Sequence, residues 1–174
     1  MKHSIVEIRE EYNRLDALCG VDTSSIDLLI SKRAIRQYGC CRHKYNVKSG
    51  SYEPYAIYIA EFILECEPAF WECIRHEYAH ALVTLRDGKN HGHDAVWKKA
   101  CEEVGCKAER LCMDAEADGK AAAIRKNRIK YEVKCPNCGR SYRYTKAGNV
   151  VRSIRAGRKC ICSCGNTNLR LKEF

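Results

Sequence analysis

Apolar residues recur every three or four positions near the start of the chain. Ile5, Ile8, Tyr12 and Leu15 fall on one helical face, which predicts an amphipathic helix from about Ser4 to Leu18. The stretch "CGVDTSS" is rich in turn formers. "IDLLISKR" reads as a strand, and "AIRQYGCCRHKY" leads through Gly39 into a second extended piece. "NVKSGSYEP" has the composition of a loop. In "YAIYIAEFIL" branched and aromatic side chains alternate, so a third strand is expected there. Helical spacing returns from Glu67 to about Arg86, where Phe70, Ile74, Tyr78, Ala81 and Leu85 form one stripe. "RDGKNHG" breaks that helix, and another runs from about Asp94 to Val104 and stops at Gly105. "MDAEADGKAAAIRKNR" predicts a last helix and a linker, and no internal repeat is present.

Charge changes this picture by dividing the chain. The net charge is +9, but residues 126–174 hold 13 Lys or Arg against two acids, Glu132 and Glu173. The preceding residues are slightly acidic. A main domain over 1–126 and a basic domain over 127–174 follow. Segregated positive charge with interleaved aromatics points to nucleic acid as the partner of the second part.

Thirteen cysteines are many for 174 residues. The opening "MKHSIVEIREEY" lacks the apolar core and cleavage pattern of a secretory signal, and no run is apolar enough to span a membrane. The expectation is a reducing, cytoplasmic compartment (nuclear or nucleoid-associated included), with cysteines as metal ligands or small buried hydrophobes.

Four of the six histidines crowd between His76 and His93. "HEYAH" is a His-Glu-x-x-His pattern. On a helix His76 and His80 lie on one face, one turn apart, and can offer both imidazoles to one cation. Glu77 projects beside them, placed to serve as general base without ligating the metal. This is the arrangement of a zinc hydrolase: nitrogen ligands, an open water position and a carboxylate. A third ligand is required. The extended metzincin pattern fails, because Val83 and Arg86 stand where Gly and His are needed. Glu102, Glu103, Glu109 and Glu116 are available for a thermolysin-like site, and "HGHDAVW" offers His91 and His93 just after the helix-ending turn.

"HEYAHAL", a short turn, then "GHDAVWKKACEEVG" resembles the SprT-like metalloprotease family, whose eukaryotic member is Spartan. That family follows its His-Glu-x-x-His helix with a His-x-x-x-Trp/Phe helix start. His93 stands four residues before Trp97, so the resemblance makes His93 the third ligand, with His91 the less favoured alternative. Trp97 then reads as a core anchor. The resemblance covers most of the chain. It implies an α+β, compact zincin-like fold and cleavage of proteins near or crosslinked to DNA. It also implies single-stranded or distorted DNA as a partner.

In the basic part, "KCPNCGRSY" is a Cys-x-x-Cys-Gly zinc knuckle, and "KCICSCGNTNL" supplies a second cysteine cluster. Together they predict a zinc ribbon, two knuckles on hairpins clamping one structural Zn²⁺. Cys135, Cys138 and Cys164 are ligands by position, and Cys162 is chosen over Cys160 as the fourth. The cofactors expected are therefore two Zn²⁺, one catalytic and one structural. Between the knuckles Arg140, Tyr142 and Tyr144 share one strand face. The tyrosines either stack on unpaired bases or pack the small core. Cys19, Cys40, Cys41, Cys66, Cys73, Cys101, Cys106 and Cys112 are expected to be buried or inert, and His3 and His43 have no evident partner.

Three functions compete. One is a zinc metalloprotease acting on DNA-associated proteins, with the ribbon recruiting DNA. Another is a non-catalytic nucleic-acid-binding module with two structural zincs, which leaves Glu77 without a purpose. The third is a general cytosolic zinc peptidase whose tail binds acidic proteins or RNA.

Overall fold

A computed structural model describes residues 2–174. They form two compact units, one ending at Ala121 and the other beginning at Ala122. The described residues are mixed α+β, with five α-helices and two small sheets.

The first unit opens with α1 (Ile5–Cys19). Ser4 caps it in a reciprocal capping box with Glu7, and Gly20 closes it in the left-handed region. Its apolar face buries Ile8, Tyr12 and Leu15. Three strands follow: β1 (Asp27–Ser31), β2 (Gly39–Asn46) and β3 (Ser51–Ala60). The order is β1-β3-β2, with β3 parallel to β1 and antiparallel to β2. β3 is therefore central and β2 is an edge strand.

Two expectations from the pattern are corrected here. The loop read over "NVKSGSYEP" is mostly ladder, because Tyr45 pairs with Tyr52 and Lys44 with Glu53. The turn itself is tight, with the Asn46 side chain accepting from the Lys48 and Ser49 amides. Pro54, a residue that rarely sits inside a ladder, is part of this one. It lies beside a register shift, where Arg42 pairs with Ala56 and His43 with Pro54, so Tyr55 bulges out. The strand expected to continue through "EFIL" stops at Ala60, and Glu61–Ile63 form one 3₁₀ turn. Phe62, Ile63 and Leu64 are all buried, so alternation ends there.

The long helix α2 (Glu67–Asp87) packs on β2, β3 and α3 (Ala95–Val104). Phe70, Ile74, Tyr78 and Leu82 are fully buried. The Tyr12 hydroxyl donates to the Ile74 carbonyl at 2.9 Å, and that of Tyr78 donates to Asp16 at 2.8 Å. Two polar groups thus tie α1 to α2 across the core. α4 (Ala115–Asn127) runs across the division between the two units at Ala121.

The second unit carries β4 (Tyr131–Lys134), β5 (Ser141–Tyr144), α5 (Asn149–Arg155) and β6 (Arg170–Glu173). The sheet is antiparallel, in the order β5-β4-β6. The strand expected around Tyr142 and Tyr144 is present and short. Only Ser141–Tyr144 is extended; a helix with Val151 buried follows Gly148. Among the described residues no helix is long and apolar enough to cross a membrane.

Candidate metal centres

His76 and His80 sit one turn apart on α2, and His93 arrives from the turn that precedes α3. One ligand atom from each lies within 4.8 Å of the others. The Nε2 atoms of His76 and His93 are 3.3 Å apart. Two nitrogen ligands of one tetrahedral zinc, each about 2.0–2.1 Å from it, stand about 3.3–3.4 Å apart. Burial holds His76 at about 4 and His80 at about 3, so both imidazoles are neutral near pH 7 with a lone pair free. Donor type, spacing and protonation all fit a zinc ion.

The indole of Trp97 holds the triad in place. It is fully buried and stacks on His80 with ring centres 5.1 Å apart. The rings of His76 and His93 meet it at 4.8 and 4.5 Å. Trp97 is thus the core anchor expected from the sequence and also the shared backing of all three imidazoles.

His91 is occupied elsewhere. Its Nε2 lies 2.7 Å from Asp87 and its Nδ1 2.8 Å from Asp94. Contact with a carboxylate on each side raises its pKa and calls for the doubly protonated ring. Asp94 also caps α3, accepting from the Val96 and Trp97 amides. His91 therefore clasps the turn that delivers His93. No carboxylate joins the imidazole group among the described residues. Glu103, one of the carboxylates available for a thermolysin-like site, pairs with Arg86 instead.

Glu77 is 6 % exposed. Its Oε2 accepts from the Cys41 amide of β2 at 2.7 Å. Burial pushes its carboxyl up to about 8, and the Cys41 amide opposes that rise. The carboxylate lies against Gly39, where a Cβ would stand 2.6 Å from Glu77 Cγ and 2.7 Å from Oε1. The edge strand thus contributes a backbone donor and a bare α-carbon to the acid. Neither is visible in the sequence, because a donated amide leaves no side-chain signature and Gly39 reads only as a residue on the way into an extended piece.

A cleft of about 460 Å³ opens over these groups. His43, Arg36, Arg110, Leu111 and Met113 line it along with the imidazoles. His43, without an evident partner in the sequence, stands with Nε2 3.6 Å from Cys41 Sγ. Cys40, Cys41 and Cys112 also line the cleft rather than merely filling the core. Tyr38 fixes one wall, its hydroxyl donating to Asp118 at 2.8 Å and accepting from the Asp114 amide at 3.1 Å.

In the second unit the sulfurs of Cys135, Cys138, Cys162 and Cys164 converge within 4.8 Å. The Cys135–Cys164 and Cys138–Cys162 pairs are each 3.6 Å apart, and all four are free thiols. Thiolates on one tetrahedral zinc stand about 3.8 Å apart, so this set also fits a zinc ion. Gly139 and Gly165 follow Cys138 and Cys164 with φ of 71° and 84°, the left-handed turn that bends each knuckle. The Asn166 amide donates to Cys135 at 3.3 Å and lowers its pKa, and the Tyr142 hydroxyl, 3.5 Å from Cys162, lowers that of Cys162. Cys160 lies outside the cluster, its thiol 3.9 Å from the Val150 carbonyl.

A mixed α+β unit with a histidine triad and a buried glutamate in an open cleft is a metalloprotease-type arrangement. Residues 6–117 match the model of the SprT-like family, and the chain belongs to that family. No curated protein matches the chain.

Proposed function

We propose that this chain is a zinc-dependent peptidase that cleaves proteins held on or crosslinked to DNA, and that its basic second unit is a zinc ribbon that engages the DNA. The first unit is then a zincin-like domain. The observation that carries the reading is the convergence of His76, His80 and His93 beside a buried Glu77 in one cleft. A purely structural zinc has no use for that carboxylate or for the opening above it.

His76, His80 and His93 hold the catalytic Zn²⁺, and Cys135, Cys138, Cys162 and Cys164 hold a structural one. When bound, zinc polarises a scissile carbonyl and lowers the pKa of water towards neutrality. The chain's own part falls to Glu77. The Cys41 amide occupies Oε2, leaving Oε1 to take a proton from water. Glu77 then returns that proton to the leaving amine. The edge strand β2 lies beside Glu77, and an extended substrate segment pairs along that edge.

The test is incubation of the full chain with a DNA-binding protein, with and without single-stranded DNA, beside Glu77→Gln. Cleavage that needs both DNA and Glu77 supports the reading. Cleavage indifferent to DNA leaves a general peptidase, and DNA binding with no cleavage leaves a binding module.

A further inference from the structure

We propose that the outer face of the β5-β4-β6 sheet is a groove for single-stranded nucleic acid, with Phe174 as the base platform and Lys134, Arg143, Arg170 and Lys172 as the phosphate contacts. This rests on the nucleic-acid reading of the basic unit and adds to it the face and the residues that make the contacts.

The ladder decides which side chains share a surface. Val133 is fully buried, so its neighbours Glu132 and Lys134 turn to the opposite face of β4. Glu132 pairs with Arg143 and with Lys172; Lys134 pairs with Ser141 and with Arg170. Cross-strand partners share a face, so four exposed cations stand on one surface. The carboxylate among them is already engaged: Glu132 accepts from Ser141 at 2.5 Å and from Arg143 at 3.3 Å. Lys134 and Arg170 have no carboxylate partner among the described residues, so their charge is open to a ligand.

One edge of this face is concave. A cavity of about 500 Å³ is lined by Lys126, Asn127, Ile129, Arg143, Lys172 and Phe174, with Glu132 among them. Phe174 is 67 % exposed, and the Lys172 ammonium lies 4.8 Å from the centre of its ring. The Phe174 amide donates to the Lys130 carbonyl at 3.0 Å, which fixes the backbone that carries the ring. An anchored, exposed aromatic in a cationic hollow stacks a base while the cations follow the backbone. A duplex keeps its bases paired inside and has none to offer that ring.

The tyrosines, the other candidates for stacking, belong to the opposite face. Tyr142 pairs with Val133 in the ladder, is half-buried, and has its hydroxyl at Cys162. Tyr144 is likewise half-buried. The cations of α5 are also less available: Arg155 is held by Glu173 at 2.7 Å, and Arg152 donates to Asn149.

The experiment measures binding of the full chain to a short fluorescent single-stranded oligodeoxynucleotide and to its duplex, by anisotropy over a salt series. Variants are Lys134→Glu/Arg170→Glu, Phe174→Ala, Phe174→Tyr and, charge-matched on α5 and the turn just after it, Arg152→Glu/Arg158→Glu. Zinc content and circular dichroism confirm that each is folded. Expected for the sheet-face pair is a loss of roughly tenfold or more and a salt slope shallower by about 0.7 for each phosphate contact removed. Phe174→Ala loses roughly tenfold on the single strand, and Phe174→Tyr restores most of it. The α5 pair loses much less. Equal or larger losses from the α5 pair, or tighter duplex binding that ignores Phe174, overturn the proposal and leave the nucleic-acid reading standing. No binding by the wild-type chain to either probe removes that reading, and the proposal with it.

Discussion

Gly39→Ala adds one methyl group at the point where β2 touches the acid. Its φ lies outside the left-handed region, so alanine strains no backbone torsion there. The effect is steric alone. The new Cβ would stand 2.6 Å from Glu77 Cγ, 2.7 Å from Oε1 and 2.8 Å from Cys73 Sγ, which is 0.6–0.8 Å short of the 3.4 Å where ordinary contact begins. Cys73 and Glu77 are one turn apart on the same buried stretch of α2, so neither retreats freely. Either the carboxylate moves by most of an ångström or the strand lifts, and the 2.7 Å bond from the Cys41 amide is lost in both cases. Overpacking of this kind costs about 1–3 kcal/mol of stability. Misplacing a reacting group by about 1 Å costs about 100-fold in rate. No metal ligand is touched, so zinc content should stay at the wild-type value. The assay is kcat for cleavage of a DNA-bound protein, beside zinc stoichiometry by mass spectrometry and Tm by calorimetry. A variant that keeps its zinc and turns over within twofold of wild type would refute the view that Gly39 seats the acid.

Glu77→Gln should raise the Tm of the metal-free chain at pH 8. Burial lifts the carboxyl from 4.5 to about 8, so between those values the folded state holds a proton that the unfolded chain releases, and stability falls as pH rises. The gap between variant and wild type should close towards pH 4.5; a gap that does not change with pH contradicts the buried-acid account. His93→Ala should cut bound zinc from two ions to one, whereas His91→Ala should keep both and only lower Tm by loosening the turn. Equal zinc loss in the two variants would reverse their roles. Cys162→Ser should release the second zinc and Cys160→Ser should not, read by metal analysis after dialysis. Strong chelation should unfold the second unit, whose fully buried aliphatic side chains are Val133 and Val151. Unchanged amide protection there after metal removal would argue against a zinc-held fold.

Periodicity was enough to place α1, α2 and α3, because each has a buried stripe at helical spacing and a glycine at its end. His-Glu-x-x-His was readable for the same reason: two imidazoles one turn apart are a local property of one helix. The knuckle cysteines are local in the same way, since each glycine turn brings two sulfurs together. The β-hairpin was misread where Pro54 and the "KSGS" turn masked a ladder whose partners lie across the sheet. The helix α5 was hidden by Arg–Tyr alternation beside it.

The choice of His93 over His91 could not come from spacing alone. It depends on which imidazole the Asp87 and Asp94 carboxylates claim, and those meet only when the turn has closed. The seat of Glu77 is further still from the primary structure. It is made of the Cys41 amide and a missing Cβ at Gly39, brought to α2 by strand pairing more than thirty residues away in the chain. Side-chain identity and short-range spacing name the donors. Backbone groups, vacant volume and competition between neighbouring carboxylates exist only once distant segments are packed, and these set which donors point into the cleft.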